Sequence, residues 1–315
     1  MQWCGALLAG GAAGSLAAAP TEACCAARGR TIIWQPWASH AALDERGWKR
    51  LGELARREGY SRVLLQWSRY GSTDFWPLEG RRWLQAGMAH WREQQLRLIV
   101  GLDMGEDYYR VLQQSDDALR AHMAGSLGRS VDLMRRLALQ PPPLVVDGWY
   151  VPQEIDDLNW RHPARERLLR AYLASVCDAL TREGRGQAGA PVVYASAFFS
   201  GASPPGEFAG MLSRLHRETG VIWIVQDGLG TSRLSEARTA AYLRAIAQAL
   251  PTESWEGILE VFDQHQPKGQ APTFDPSAEA TIFRRQAIWR NSIGREPGMT
   301  FSLNQRMAKL DGAEH

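Results

Sequence analysis

Glu154 and Glu260 are the residues whose type and setting best suit bond-breaking chemistry. Glu154 closes the run Leu144-Val145-Val146-Asp147-Gly148-Trp149-Tyr150-Val151-Pro152-Gln153-Glu154, where an apolar, strand-like stretch opens into an aromatic and acidic tip ending at Asp156. Glu260 sits inside Ile258-Leu259-Glu260-Val261-Phe262, an apolar run in which an unpaired charge is costly. Two carboxyl groups facing one cleft are suited to glycosidic bond cleavage, one protonating the departing oxygen while the other attacks the anomeric carbon or activates water. A rigid aromatic surround at Glu154 would desolvate the carboxyl and raise its pKa toward that of a general acid. Alternation puts Glu260 on the side of Ile258 and Phe262. That side faces either the inside of a barrel or the covering helices, where an arginine would satisfy the charge.

Such a pair needs a scaffold that brings distant segments together. Eight short apolar segments qualify as strands: Thr31–Trp37, Arg62–Trp67, Leu96–Asp103, Leu144–Tyr150, Pro191–Phe198, Gly220–Gln226, Gly257–Phe262 and Met299–Leu303. Between them, Leu43–Glu58, Glu79–Gln94, Asp116–Ala138, Pro163–Glu183, Pro205–Glu218, Ser235–Leu250 and Ser277–Asn291 carry apolar residues at three- and four-residue spacing, the pattern of amphipathic helices. A short last helix is expected over Gln305–Leu310. Eight strands with a helix after nearly every one predict an α/β fold, a (β/α)8 TIM barrel. No linker divides the body, so residues 28–315 are expected to form a single domain after an N-terminal signal segment.

In such a barrel, chemistry gathers at the C-terminal ends of the strands, whose loops line one mouth. Those ends carry Gln35 and Trp37, Gln66 and Trp67, Asp103, Tyr150 and Asp156, Phe198, Gln226 and Asp227, and Asn304. Sugars present apolar faces and hydroxyl rims, so flat rings with amides and carboxylates suit them. All of these residues are therefore candidate substrate contacts, within a chain that holds 13 Trp. A net charge of +2 supplies no field for nucleic acid or anionic membranes. Asp103, Asp156, Asp227 and Asp263 offer an oxygen-rich set, but the histidines lack paired ligand spacing. Neither metal nor cofactor is expected, and no dinucleotide fingerprint, P-loop or nucleophile elbow occurs.

Glutamates on strands four and seven resemble the retaining glycosidases built on (β/α)8 barrels. That resemblance implies an acid/base role for Glu154 and a nucleophilic role for Glu260, with Gln153 where those enzymes commonly have Asn. Trp34-Gln35-Pro36-Trp37, Leu65-Gln66-Trp67, Gly148-Trp149-Tyr150-Val151-Pro152-Gln153-Glu154-Ile155-Asp156 and Val225-Gln226-Asp227-Gly228-Leu229-Gly230 together resemble the DUF4434 family of exported bacterial barrel proteins. Membership implies a glycosidase-like barrel.

Residues 1–27 are rich in Ala, Gly and Leu, with Glu22 their one charged residue, and read as a signal peptide. The apolar run from Gly5 to Ala19 falls short of the roughly 20 residues a spanning helix needs. Export to the periplasm or beyond is expected, and Cys24 is a weak site for lipid anchoring. Cys177, the one cysteine of the body, reads as a small core residue. The expected function is hydrolysis of an extracytoplasmic polysaccharide by the two glutamates. The alternative is a catalytically silent glycan-binding protein serving polysaccharide export or assembly machinery.

Overall fold

The computed structural model describes residues 29–75, 83–138, 146–183, 191–266 and 271–311. Residues 1–27, where a signal peptide is expected, and Cys24 among them lie outside the described residues. The eight barrel strands are β1 (Arg30–Trp34), β2 (Tyr60–Leu65), β3 (Arg97–Gly101), β4 (Gly148–Asp156), β5 (Val193–Phe198), β6 (Ile222–Gln226), β7 (Trp255–Glu260) and β8 (Met299–Phe301). Each pairs in parallel with its neighbours in sequence, and β8 pairs with β1, so the barrel closes as expected.

Helices α1 (Glu45–Arg57), α2 (Trp83–Glu93), α3 (Asp116–Ala138), α4 (Pro163–Glu183), α5 (Pro205–Thr219), α6 (Glu236–Ala249), α7 (Glu279–Ile293) and α8 (Leu303–Asp311) follow the strands in turn. Local chemistry fixes several ends. The Asp44 carboxylate accepts from the backbone N–H of Gly47 at 2.8 Å and starts α1, while Gly220 ends α5 in the left-handed region at φ +72°.

Alternation along the strands sorts side chains into two layers. Ile33, Leu64, Ile99, Tyr150, Tyr194, Ile222, Ile224, Ile258 and Met299 form one cluster with a member from every barrel strand, which is the barrel interior. Their outward neighbours join the helices in a larger outer core that includes Trp34, Trp48 and Trp91, packed edge to face with centroids 5.1–5.4 Å apart. At the N-terminal end of the barrel, buried Arg62 of β2 meets buried Glu256 of β7 at 3.4 Å, and the guanidinium also reaches the Tyr194 hydroxyl at 3.4 Å. This pair plugs the bottom.

Two short sheets extend the opposite end. Arg69–Tyr70 pairs with Thr73–Asp74 and with Asp103–Met104, extending the loops after β2 and β3. Phe262–His265 pairs with Thr273–Pro276, extending the loop after β7.

Candidate functional site

A bulge in β4 places Glu154. Val151 is in register with Ala195 and Ile155 with Ala197, so four steps along β4 match two along β5. The extra residues let Gln153 turn outward, where its amide donates to the Asp103 carbonyl at 2.8 Å and to Ser126 Oγ at 3.0 Å and accepts from the Tyr172 hydroxyl at 3.0 Å. Glu154 turns the other way. Its Oε2 accepts from the Tyr109 hydroxyl at 2.6 Å, and its Oε1 accepts from Gln226 Nε2 at 3.2 Å. Tyr108 holds the backbone beneath, donating from its hydroxyl to the Glu154 carbonyl at 2.7 Å.

Glu260 stands on β7, two residues beyond Ile258, whose side chain belongs to the interior cluster, so it points into the barrel. Its Oε2 accepts from the backbone N–H of Gly230 at 2.7 Å. Only glycine permits that approach, because a Cβ there would lie 2.7 Å from the Phe262 carbonyl oxygen and 2.9 Å from Glu260 Oε2. The neighbouring arginine bonds the backbone of Glu260, and its charge opposes the effect of burial without overcoming it. Arg285 of α7 donates to the carbonyls of Glu260, Phe262 and Leu229 and to Asp263 Oδ1, touching the backbone of Glu260 and not its carboxylate.

Behind Glu260 lies Asp227, which is fully buried. It accepts from the Leu229 N–H at 3.0 Å and Trp289 Nε1 at 2.9 Å, and shares a side-chain hydrogen bond with Glu260. Trp289 reaches it because residue 257 is glycine, since a Cβ there would come within 2.2 Å of the indole. Burial, then the neighbouring Asp227 charge, push Glu260 up to about 8, and burial lifts Asp227 to about 6 against its donors. Burial therefore favours the protonated form of the pair, more strongly at Glu260 than at Asp227. Glu260, which the sequence sets in an apolar run, is 3% exposed, while Glu154 at its aromatic tip is half-buried.

The expected contacts divide by position. Gln35, Gln66 and Gln226 stand at the mouth, with Phe198 half-buried on the inward row of β5. Gln66 is 9% exposed, and its buried Oε1 has no partner among the described residues. Trp37 is exposed, whereas Trp67 is half-buried against the outer core, with its ring 4.9 Å from the more exposed Tyr70. Tyr150 is a correction. It fills the barrel interior, and its hydroxyl donates to Ser196 Oγ at 2.9 Å.

Three further polar candidates are also corrected, because their side chains are spent on the scaffold. Asp103, 1% exposed, takes Arg129 Nε and Ser126 Oγ, each at 2.9 Å. Asp156, also buried, accepts from the Leu158 N–H and Asn159 Nδ2 and caps the turn after β4. Asn304 pairs through its amide with both backbone groups of Gln35, at 3.0 and 3.1 Å. Asp227 acts through Glu260, out of reach of solvent. Sequence reasoning missed Tyr109, for which the twin aromatics Tyr108-Tyr109 shortly after the third strand are the signal.

Comparison with known proteins bears on family and fold. The pattern of the domain of unknown function DUF4434 matches residues 30–310. The uncharacterized protein YbcH of Escherichia coli K12 is 32% identical over 274 residues, covering 86% of this chain and 88% of YbcH. Among solved structures, a protein provisionally assigned as an alpha-L-fucosidase from Bacteroides thetaiotaomicron superposes with a TM-score of 0.65 at 12% identity, covering 98% of both chains. A family 18 chitinase from Pseudoalteromonas aurantia gives 0.53 at 10% identity over 91% of this chain and all 100% of the other. A beta-galactosidase from Marinomonas ef1 also gives 0.53, at 11% identity, over 86% of this chain and 53% of its own. At such identities the likeness is one of fold.

Proposed function

The chain belongs to the DUF4434 family, and on that premise we propose that it is a glycoside hydrolase acting on an extracytoplasmic polysaccharide through Glu154 and Glu260. One observation carries this reading: two inward glutamates stand at one barrel mouth and, among the described residues, neither carboxylate is bonded to a cation, one being bonded to a tyrosine and an amide, the other to a backbone N–H and a buried aspartate. Pairs whose surroundings differ in this way divide acid from base. Glu260 carries the proton and delivers it to the departing glycosidic oxygen. Glu154 supplies the opposing carboxylate, as nucleophile or as base to a water. This division reverses the one the family resemblance implied. Gln66 and Gln35 receive hydroxyl groups, and Trp37 and Phe198 receive ring faces. The leader composition supports a substrate outside the cytoplasm.

The test is reducing-end release from a panel of bacterial and plant polysaccharides by the wild type, Glu154→Gln and Glu260→Gln. Loss of at least about 100-fold in both variants is expected, the scale of general acid–base catalysis. Equal yields from all three would remove the pair from any mechanism. The 3% exposure of Glu260 favours a second reading, a glycan-binding protein without catalysis. It predicts binding that survives both substitutions with no product from the wild type.

A further inference from the structure

Among the described residues, the large exposed aromatics are Trp37, Tyr70, Tyr109, Phe274 and Phe283. All but Phe283, on α7, lie in segments that follow β1, β2, β3 or β7, at the mouth end of the barrel. Isolated exposed rings are ordinary, but four gathered at one end mark a surface that binds something flat and apolar. The two short sheets organise them. One sheet extends β2 and β3 and carries Tyr70, while the other extends β7 and carries Phe274, whose ring meets Phe262 at 5.4 Å. In an eight-stranded ring β7 stands opposite β3, so the two sheets flank the mouth from opposite sides. The sectors of β4 to β6 and of β8 to β1 lie between them.

Trp37 occupies the β8 to β1 sector, and it is held rigidly. Its indole is 49% exposed yet stacks on the His40 ring at 5.8 Å and 9°, and its backbone N–H donates to His40 Nδ1 at 3.0 Å. His40 is buried and lies 5.0 Å from Trp34, which is anchored in turn against Trp48 and Trp91. Burial lowers the His40 pKa, so the support stays neutral. An exposed ring backed by four others loses little freedom when a second flat surface covers it. Adjacent strands lie about 4.8 Å apart, so β1 is roughly 10 Å around the wall from β7 and Glu260. A sugar on Trp37 is therefore offset around the wall by about two strand spacings from the strand that carries Glu260.

Resting on the glycosidase reading above, we propose that the mouth is an open groove for an extended, unbranched glycan of several units, cut internally, with Trp37 as a remote stacking subsite. Gln66, whose buried Oε1 has no donor among the described residues, follows β2 on the arc of the wall between Trp37 and Glu154 and accepts from a sugar hydroxyl.

The experiment is affinity electrophoresis of the full chain through gels containing hydroxyethylcellulose, soluble xylan or glycol chitin, coupled to sizing of products from whichever polymer is cut. At least one polymer is expected to retard the wild type. Trp37→Ala should weaken that retardation by about tenfold, Trp37→Phe should restore most of it, and Phe283→Ala, on the outer face, should match the wild type. Early products should be long oligosaccharides. Retardation that depends on Trp37 without any product would sink the hydrolase reading and keep the subsite. Release of single sugars from chain ends, equal retardation of Trp37→Ala, or free migration through all three gels would each overturn the groove.

Discussion

Glu256 and Glu260 stand on the same face of β7, one near each end of the barrel, and they meet opposite fates. At the bottom, Glu256 is paired with Arg62, and the two close the barrel as a neutral plug. At the mouth, the Glu260 carboxyl meets an N–H and an aspartate, and among the described residues no cation bonds to it, so burial raises its pKa and favours the protonated form. A buried carboxyl can be satisfied by a counter-charge or by protonation. The first choice is structural and inert; the second keeps a titratable group at the mouth end of the barrel interior. One strand makes both choices, and the difference between its ends is what marks the mouth as chemical.

Breaking the inert end should cost the most. Arg62→Ala removes the guanidinium that pairs with buried Glu256 and is expected to lower unfolding free energy by about 3–5 kcal/mol, read by urea denaturation at pH 7. A loss below about 1 kcal/mol would show that the plug carries little. The mouth should behave in the opposite sense. Glu260 titrates at about 8 when folded against 4.5 as its ordinary value, so its contribution to stability is whole below about 4.5 and is lost as pH rises through about 8. Glu260→Gln removes that dependence. Between those limits the variant should gain on the wild type by up to about 1.4 kcal/mol per pH unit, measured by denaturation at pH 5, 7 and 9. Parallel curves would mean that Glu260 is ionised in the folded chain.

A smaller change sharpens the comparison at Glu154. Tyr109→Phe deletes a single hydrogen bond to its carboxyl, worth about 1–2 kcal/mol, and leaves the ring in place. Turnover on any cleaved polysaccharide should fall roughly tenfold with KM little changed, and the pH profile should move. A rise in KM alone would make Tyr109 a wall of the groove and not a positioning residue for Glu154.

The barrel was legible because its signals are local. Period-two strands and helical stripes survive in sequence, and the limits of α3 and α4 fall where the pattern put them. Glu154 and Glu260 were legible for a different reason: a charge inside an apolar run is conspicuous. What the sequence hid was partnership. Asp103 and Asp227 look alike at strand ends, yet one is claimed by Arg129 from α3 and the other by Trp289 from α7, contacts that only the closed barrel creates. The β4 bulge was hidden as well. Strict alternation would keep Gln153 and Glu154 in step with β5, and only the register with Ala195 and Ala197 reveals the extra residues. Asn304 serves the backbone of Gln35 across the closure between β8 and β1, where no sequence neighbour betrays it.

The most direct test is the pH dependence of polysaccharide cleavage by the wild type, followed as reducing-end release from pH 4 to 10. With Glu260 as proton donor, the rate falls as pH rises through about 8, and Glu260→Gln abolishes cleavage at every pH. A rate that climbs through that range, or a Glu260→Gln protein that cleaves as fast as the wild type, would contradict the assignment of the proton to the mouth of the barrel.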